Sequence, residues 1–332
     1  MGFTLNDCAT TGSFDMENSD RAARLLEKSF VWDQGILWSD VTREEDILKK
    51  LAGWGVNGVC LKINPAFNMA ASWFAANLTA VVTNRMSIRE GRDAHLLSSA
   101  GKGDGMSVTF SLADTAVLDN PVRDIELFSA LGVTSILLAS MHNLSGASCY
   151  DEDGGLTRYG RQLVAWFNES SILLDGTLSG YRTSMEAMAL SEKPFIFSHV
   201  NPWGVCNNRR NIRDDQIKAC AATGGVVGIT FIGGYLGSEN PDAECLFRNL
   251  DYLCQLIGPG HVGIGSNYMT DTTRFWEVLG PLAQPGELKG GGCFDYAGLP
   301  RVIELMLNHG YADQDISDIL GGNWFRLFSR NV

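Results

Sequence analysis

Short apolar, β-rich runs recur eight times along the chain, and this alternation constrains the fold more than any other feature of the sequence. They lie at 29–37 (SFVWDQGIL), 57–63 (NGVCLKI), 106–112 (MSVTFSL), 133–140 (VTSILLAS), 171–175 (SILLD), 194–199 (PFIFSH), 224–232 (GGVVGITFI) and 261–266 (HVGIGS). Between them run amphipathic segments, among them 42–55, 121–132, 213–224 and 243–258, with apolar residues at helical spacing and glycine near several ends. Near-continuous apolar strands are those buried on both faces of a parallel sheet, and eight strand–helix units close into a (β/α)8 barrel of the TIM type. The competing doubly wound sheet finds no G-x-G-x-x-G after the first strand to support its dinucleotide-binding form. The expected organisation is an N-terminal extension over 1–28 and a single α/β barrel domain over 29–332.

Charge and cysteine usage narrow the partners. With 38 acidic and 26 basic side chains the formal charge is −12, so nucleic acid and anionic membrane surfaces are repelled and neither is expected as a partner. The cysteines Cys8, Cys60, Cys149, Cys206, Cys220, Cys245, Cys254 and Cys293 are scattered singly, without the paired spacing of a zinc knuckle or redox motif. The first twenty residues lack the basic and apolar regions of a secretory signal, and no 18-residue apolar run follows, which reads as a cytoplasmic protein with reduced thiols.

In a barrel, functional side chains belong at the C-terminal ends of the strands. The stretch KPFIFSHVNPWG (193–204) delivers Ser198 and His199 to such an end, where the chain breaks at Asn201-Pro202. Other polar groups at strand ends are Asp33 and Gln34, Lys62 and Asn64, Ser111 and Asp114, His142 and Asn143, Asp175 and Thr177, Thr230, and Asn267 with Tyr268.

The order of motifs GLTRYGRQLVAWFNESSILLD, KPFIFSHVNPWGVCNNRRNIRDDQIKACAATGGVVGITF, HVGIGS and DILGGNWFRLF resembles the membrane (renal-type) dipeptidase family over residues 29–328. The resemblance implies a metal-dependent-hydrolase-like, amidohydrolase-type barrel, a homodimer, and two zinc ions that activate water against a peptide carbonyl. It also implies where the metal ligands should fall. The family's Asp-Gly-His-x-Asp run aligns with Asp33 but puts Gly35 and Leu37 at its two ligand places. The bridging glutamate falls on Ala113, a histidine on Leu178 and an acid on Asn267, so that only His199 matches. Glycine, leucine and alanine have no donor atom and an asparagine amide is a poor replacement for a carboxylate. No metal and no cofactor are therefore expected.

Two readings of such a chain stand side by side. In one, the mouth serves a metal-independent isomerase, cyclase or lyase-type proton transfer on a small, partly apolar, carboxylate-bearing molecule. His199, Asp33 and Asp175 are then the catalytic groups, and Arg210, Asn267, Tyr268, Trp203, His142 and Lys62 bind substrate. Arg210 in NNRRN matches the family position resembling a clamp for the substrate carboxylate. In the other, the barrel is a catalytically inactive partner-binding protein; residual zinc-dependent dipeptidase activity is a third possibility. Blander roles are available too: Asp33 and Asp175 as loop caps, Arg210 as a partner of Asp214 or Asp215, and Lys62 as a stem snorkelling to solvent rather than a Schiff-base amine. Leu37, Ala113 and Leu178 are expected to line the mouth with Trp32, Trp38, Trp203 and Tyr268 nearby, and His95, His261 and His309 to be structural.

Overall fold

The computed structural model describes residues 11–38, 47–63, 106–118, 120–130, 132–139, 153–268 and 292–331. Eight parallel strands occupy the eight apolar runs: β1 Val31–Trp38, β2 Val56–Ile63, β3 Ser107–Leu112, β4 Val133–Leu137, β5 Leu173–Asp175, β6 Phe197–Val200, β7 Val227–Ile229 and β8 Val262–Ile264. They hydrogen-bond in the order β5-β4-β3-β2-β1-β8-β7-β6. The two ends meet through a parallel bridge between Asp175 and Ile196, where Gly176 N donates to Ile196 O at 2.8 Å and Ile196 N to Leu174 O at 3.0 Å. The sheet thus closes into the expected barrel, and its edges vanish.

Helices Pro121–Ala130, Arg158–Asn168, Tyr181–Leu190, Asp214–Ala222, Ala243–Ile257 and Leu299–Asn308 belong to the surrounding layer. Their starts follow the side-chain chemistry. Thr157 accepts from Gly160 N at 3.0 Å and Asp242 from Cys245 N at 2.8 Å, each satisfying an amide that the helix cannot. Asp242→Ala is expected to lower stability by about 1 kcal/mol, read as a reduced urea midpoint at unchanged slope. The helix Thr11–Lys28, within the segment read as an extension, docks on the outer layer: Asn18 donates to Asn308 at 2.7 Å and Arg21 pairs with Asp313 at 2.5 Å.

The N-terminal end of the barrel is plugged. Trp32, Cys60, Leu173, Ile196 and Val226 pack there against Trp324, Leu327 and Phe328 of the C-terminal helix Asn323–Asn331. Trp324 donates its indole N–H to Ile264 O at 2.9 Å and fits only because residue 263 is glycine, where a Cβ would come within 2.3 Å of the indole nitrogen. Trp32 belongs to this plug, fully buried, and not to the mouth where the sequence reading put it. It is the second residue of β1, and its ring leaves the strand by the face opposite to that of the neighbouring Asp33.

Candidate functional site

The C-terminal strand ends bring together Lys62 of β2, Asp175 of β5, Ser198 and His199 of β6, and the residues following β8, while Asp33, the third residue of β1, stands level with Ile264 at the end of β8. Two aspartates brace this rim in the same way. Asp33 Oδ1 accepts from Gly35 N, two residues on, and from Ser266 N on the neighbouring chain segment, both at 2.9 Å. Asp175 Oδ1 accepts from Thr177 N at 2.9 Å and from Ser198 N at 3.1 Å. Each carboxylate thus holds the amide two residues on and ties its strand to the neighbouring one.

The second oxygens differ. Asp33 Oδ2 is taken by the hydroxyls of Ser266 and Tyr296, whereas Asp175 Oδ2 is buried with no hydrogen-bond partner among the described residues. Burial pushes the Asp33 carboxyl above its ordinary range against these hydrogen bonds, and burial, then the adjoining carboxylate, push the Tyr296 phenol up. Asp33 is therefore a strut between β1, the segment after β8 and Tyr296. None of its hydrogen bonds runs to His199.

His199 works instead with a lysine. Lys62 Nζ lies 2.6 Å from His199 Nδ1 and donates to Ser198 Oγ at 3.0 Å. Ser198 Oγ also sits 2.8 Å from Nδ1 and 3.3 Å from Thr177 Oγ1. Lys62 does not snorkel: it is 3% exposed, its stem running into the barrel rather than out of it. Burial lowers its pKa to about 8, opposed chiefly by Asp175. Burial, then the charges of Lys62 and Arg210, hold the imidazole well below its usual value, so His199 is neutral at physiological pH and its Nδ1 lone pair faces the ammonium.

Arg210 comes from the loop between β6 and helix Asp214–Ala222 and is 8% exposed. That loop is fixed by its asparagines: Asn211 Nδ2 donates to Cys206 O at 2.9 Å and Tyr235 O at 2.8 Å, and Asn208 Nδ2 to Gly234 O at 3.2 Å. The guanidinium carbon stands 5.3 Å from the centre of the Tyr235 ring. Asp214 and Asp215, the aspartates offered as its alternative partners, accept from Tyr252 at 3.0 Å and from Tyr181 at 2.5 Å. The Arg210 charge is felt at both Lys62 and His199, so three basic groups share the rim.

The remaining residues of the sequence reading are spread out. Asn267 is 8% exposed, with a left-handed backbone at φ 50°. Tyr268 packs edge-on against Trp54 and Tyr296 at 5.6 and 5.7 Å. Trp203 is 40% exposed and its ring faces the Arg213 guanidinium at 6.0 Å. His142, Asn64, Asn143 and His95 lie outside the described residues, as does the side chain of Trp38. His261 and His309 bond backbone carbonyls, of Gly225 at 2.8 Å and Leu305 at 2.7 Å. The sequence reading missed Ser266 and Tyr296 as the partners of Asp33; no motif marks a tyrosine 263 positions from the aspartate it binds.

The donor set does not fit a dinuclear metal centre. A Cβ placed on Gly35 would come 3.4 Å from His199 Cβ, so a side chain there would face the histidine, and none exists. The side chains of Leu37, Ala113 and Leu178 offer no lone pair. Leu178 even keeps a left-handed backbone at φ 72°, which costs a non-glycine residue roughly 1–2 kcal/mol. The Nδ1 of His199 is occupied by Lys62, and no group of three His, Cys, Asp or Glu able to hold a metal occurs among the described residues.

Comparison with known proteins gives a consistent lineage. The sequence model for membrane dipeptidases (peptidase family M19) matches residues 74–331. An uncharacterised protein in the pqqA 5′ region of Klebsiella pneumoniae is 29% identical over 227 residues, 64% of this chain and 78% of that protein. Dipeptidase verJ of Clonostachys rogersoniana is 31% identical over 174 residues, 52% of this chain but only 41% of its own length. Among solved structures, an amidohydrolase from Pseudomonas aeruginosa superposes with a TM-score of 0.79 at 22% identity, covering 92% of this chain and 98% of that one, which shows the shared barrel fold. No helix among the described residues is long and apolar enough to cross a membrane. With a barrel of this type and a family match over most of its length, the chain belongs to the membrane dipeptidase family, peptidase family M19.

Proposed function

We propose that this family member performs metal-independent acid–base chemistry on a small, partly apolar carboxylic acid, in place of the peptide hydrolysis that the name of its relative verJ denotes. The observation that carries the reading is the 2.6 Å contact of Lys62 Nζ with His199 Nδ1: the one histidine aligned with a ligand position is engaged by an ammonium. In this site Arg210 takes the carboxylate, because a guanidinium presents paired donors to it. His199, neutral at physiological pH, receives and returns a proton. Asp175 positions Ser198 and Thr177 through its Oδ1 and has Oδ2 left for a substrate hydroxyl or water. Asp33 holds the rim, and Asn267 is a neutral hydrogen-bonding wall. Ala113 and Leu178, apolar where the family resemblance places metal ligands, favour an aliphatic or aromatic body on the acid over a peptide's amides.

Chelator-treated protein dialysed against zinc is expected to retain well below one ion per chain, to leave dipeptides intact, and still to bind 3-phenylpropionate by calorimetry. Uptake of two zinc ions with release of amino acids from a dipeptide overturns the proposal in favour of the hydrolase of the family.

A further inference from the structure

Lysines are almost never buried without a carboxylate partner. Lys62 is the exception here: among the described residues it forms no ion pair, and its Nζ is held by a neutral imidazole nitrogen and a serine hydroxyl. Unfilled hydrogen-bonding capacity surrounds it. Ser111 stands opposite Lys62 in the β2–β3 register, and among the described residues its buried hydroxyl has no partner; neither has Asp175 Oδ2. An amine with a proton acceptor 2.6 Å away, a buried guanidinium sharing the rim and two orphaned oxygens is a site laid out for a polar ligand that reacts with the amine.

We propose that Lys62 is a covalent amine that condenses with the ketone of a 2-oxo acid, whose carboxylate Arg210 holds. The inference rests on the carboxylate-binding reading above and deepens it by naming the substrate class. The Lys62 ammonium passes one proton to His199 Nδ1, and the freed nitrogen lone pair forms a bond to the ketone carbon as the carbonyl π pair moves to oxygen. A second nitrogen proton neutralises that oxygen, giving a carbinolamine. His199 returns its proton to the hydroxyl, which leaves as water, and the nitrogen lone pair closes the C=N bond. Ammonium and ketone have become a protonated imine and one water, with no other reactant. The imine then accepts the electron pair released when the carbon on the side away from the carboxylate loses a proton to His199, which gives an enamine. Ser111 and Asp175 Oδ2 are the groups available to the carbinolamine hydroxyl and the departing water.

The test is reductive trapping of the whole chain with phenylpyruvate and sodium cyanoborohydride, followed by peptide mass mapping, beside calorimetric binding of 3-phenylpropionate, which has the carboxylate but no ketone. One reduced adduct per chain, on the peptide containing Lys62, is expected. It should be lost in Lys62→Arg, blocked by excess 3-phenylpropionate, and slowed about tenfold or more in Arg210→Gln by loss of a charged hydrogen bond. Absence of an adduct, or labelling spread over surface lysines to the same extent in Lys62→Arg, overturns the proposal. If 3-phenylpropionate binds while no adduct forms, only the covalent role falls; if neither acid binds, the carboxylate site falls with it. Mapping on the unmodified chain decides the matter even if a variant does not fold.

Discussion

Asp33→Ala is expected to lower the unfolding free energy by about 3–5 kcal/mol, close to the limit a single side chain reaches. The aspartate is fully buried and accepts from two backbone amides and two hydroxyls, those of Gly35, Ser266 (twice) and Tyr296. Truncation leaves all four donors buried in a place water reaches poorly, and each unsatisfied group costs about 1–3 kcal/mol before relaxation. The loss is also topological, because the carboxylate joins β1 to the segment after β8 while Asp33 and Ile264 are in register there. Urea unfolding checks it. Asp33→Asn should recover part of the loss, since an amide oxygen still accepts from Gly35 and Ser266. A drop below about 1 kcal/mol in Asp33→Ala is the figure for an ordinary surface cap, and it rules out the strut role.

The barrel was legible because parallel strands buried on both faces leave uninterrupted apolar runs, and eight of them spaced by helical segments have few alternatives. That same lack of alternation hides direction. In VNGVCLKI nothing tells which residues point into the barrel, so Lys62 looked like a strand-end lysine free to reach solvent, when its stem turns inward to His199. Trp32 misled for a related reason: proximity to Asp33 in sequence suggested the mouth, but side chains one apart on a strand leave by opposite faces, and Trp32 went to the plug built by Trp324 and Phe328.

The loop-capping roles of Asp33 and Asp175 could be named in advance because Asp commonly bonds the amide two residues on. What separates the two, a saturated Oδ2 against an orphaned one, depends on Ser266 and Tyr296 arriving from far along the chain. The family resemblance, in turn, exposed the missing ligand places Gly35, Leu37, Ala113, Leu178 and Asn267. It was silent on what replaced them, since the replacing cation comes from β2, a strand to which that resemblance assigned no ligand.

The pH dependence of stability should report that cation directly. In the folded chain burial lowers the Lys62 pKa from 10.5 to about 8, with Asp175, Cys60 and Asp33 favouring its charge and Arg210 opposing it. Between these two values the unfolded chain holds a proton that the folded chain lacks, so the unfolding free energy rises with pH through the window. Below about 8 both states are protonated and the burial penalty is fully present; above 10.5 it is gone. At roughly 1.4 kcal/mol for each pH unit of the window, the relief comes to about 3 kcal/mol. Lys62→Met cannot titrate there, while every other group that ionises at alkaline pH is common to both proteins. Urea unfolding of the pair from pH 7 to pH 11 is therefore expected to show the unsubstituted chain gaining about 3 kcal/mol on the variant. Parallel profiles across that range mean that the ammonium is hydrated in solution, and they dismiss the buried lysine together with its contact to His199.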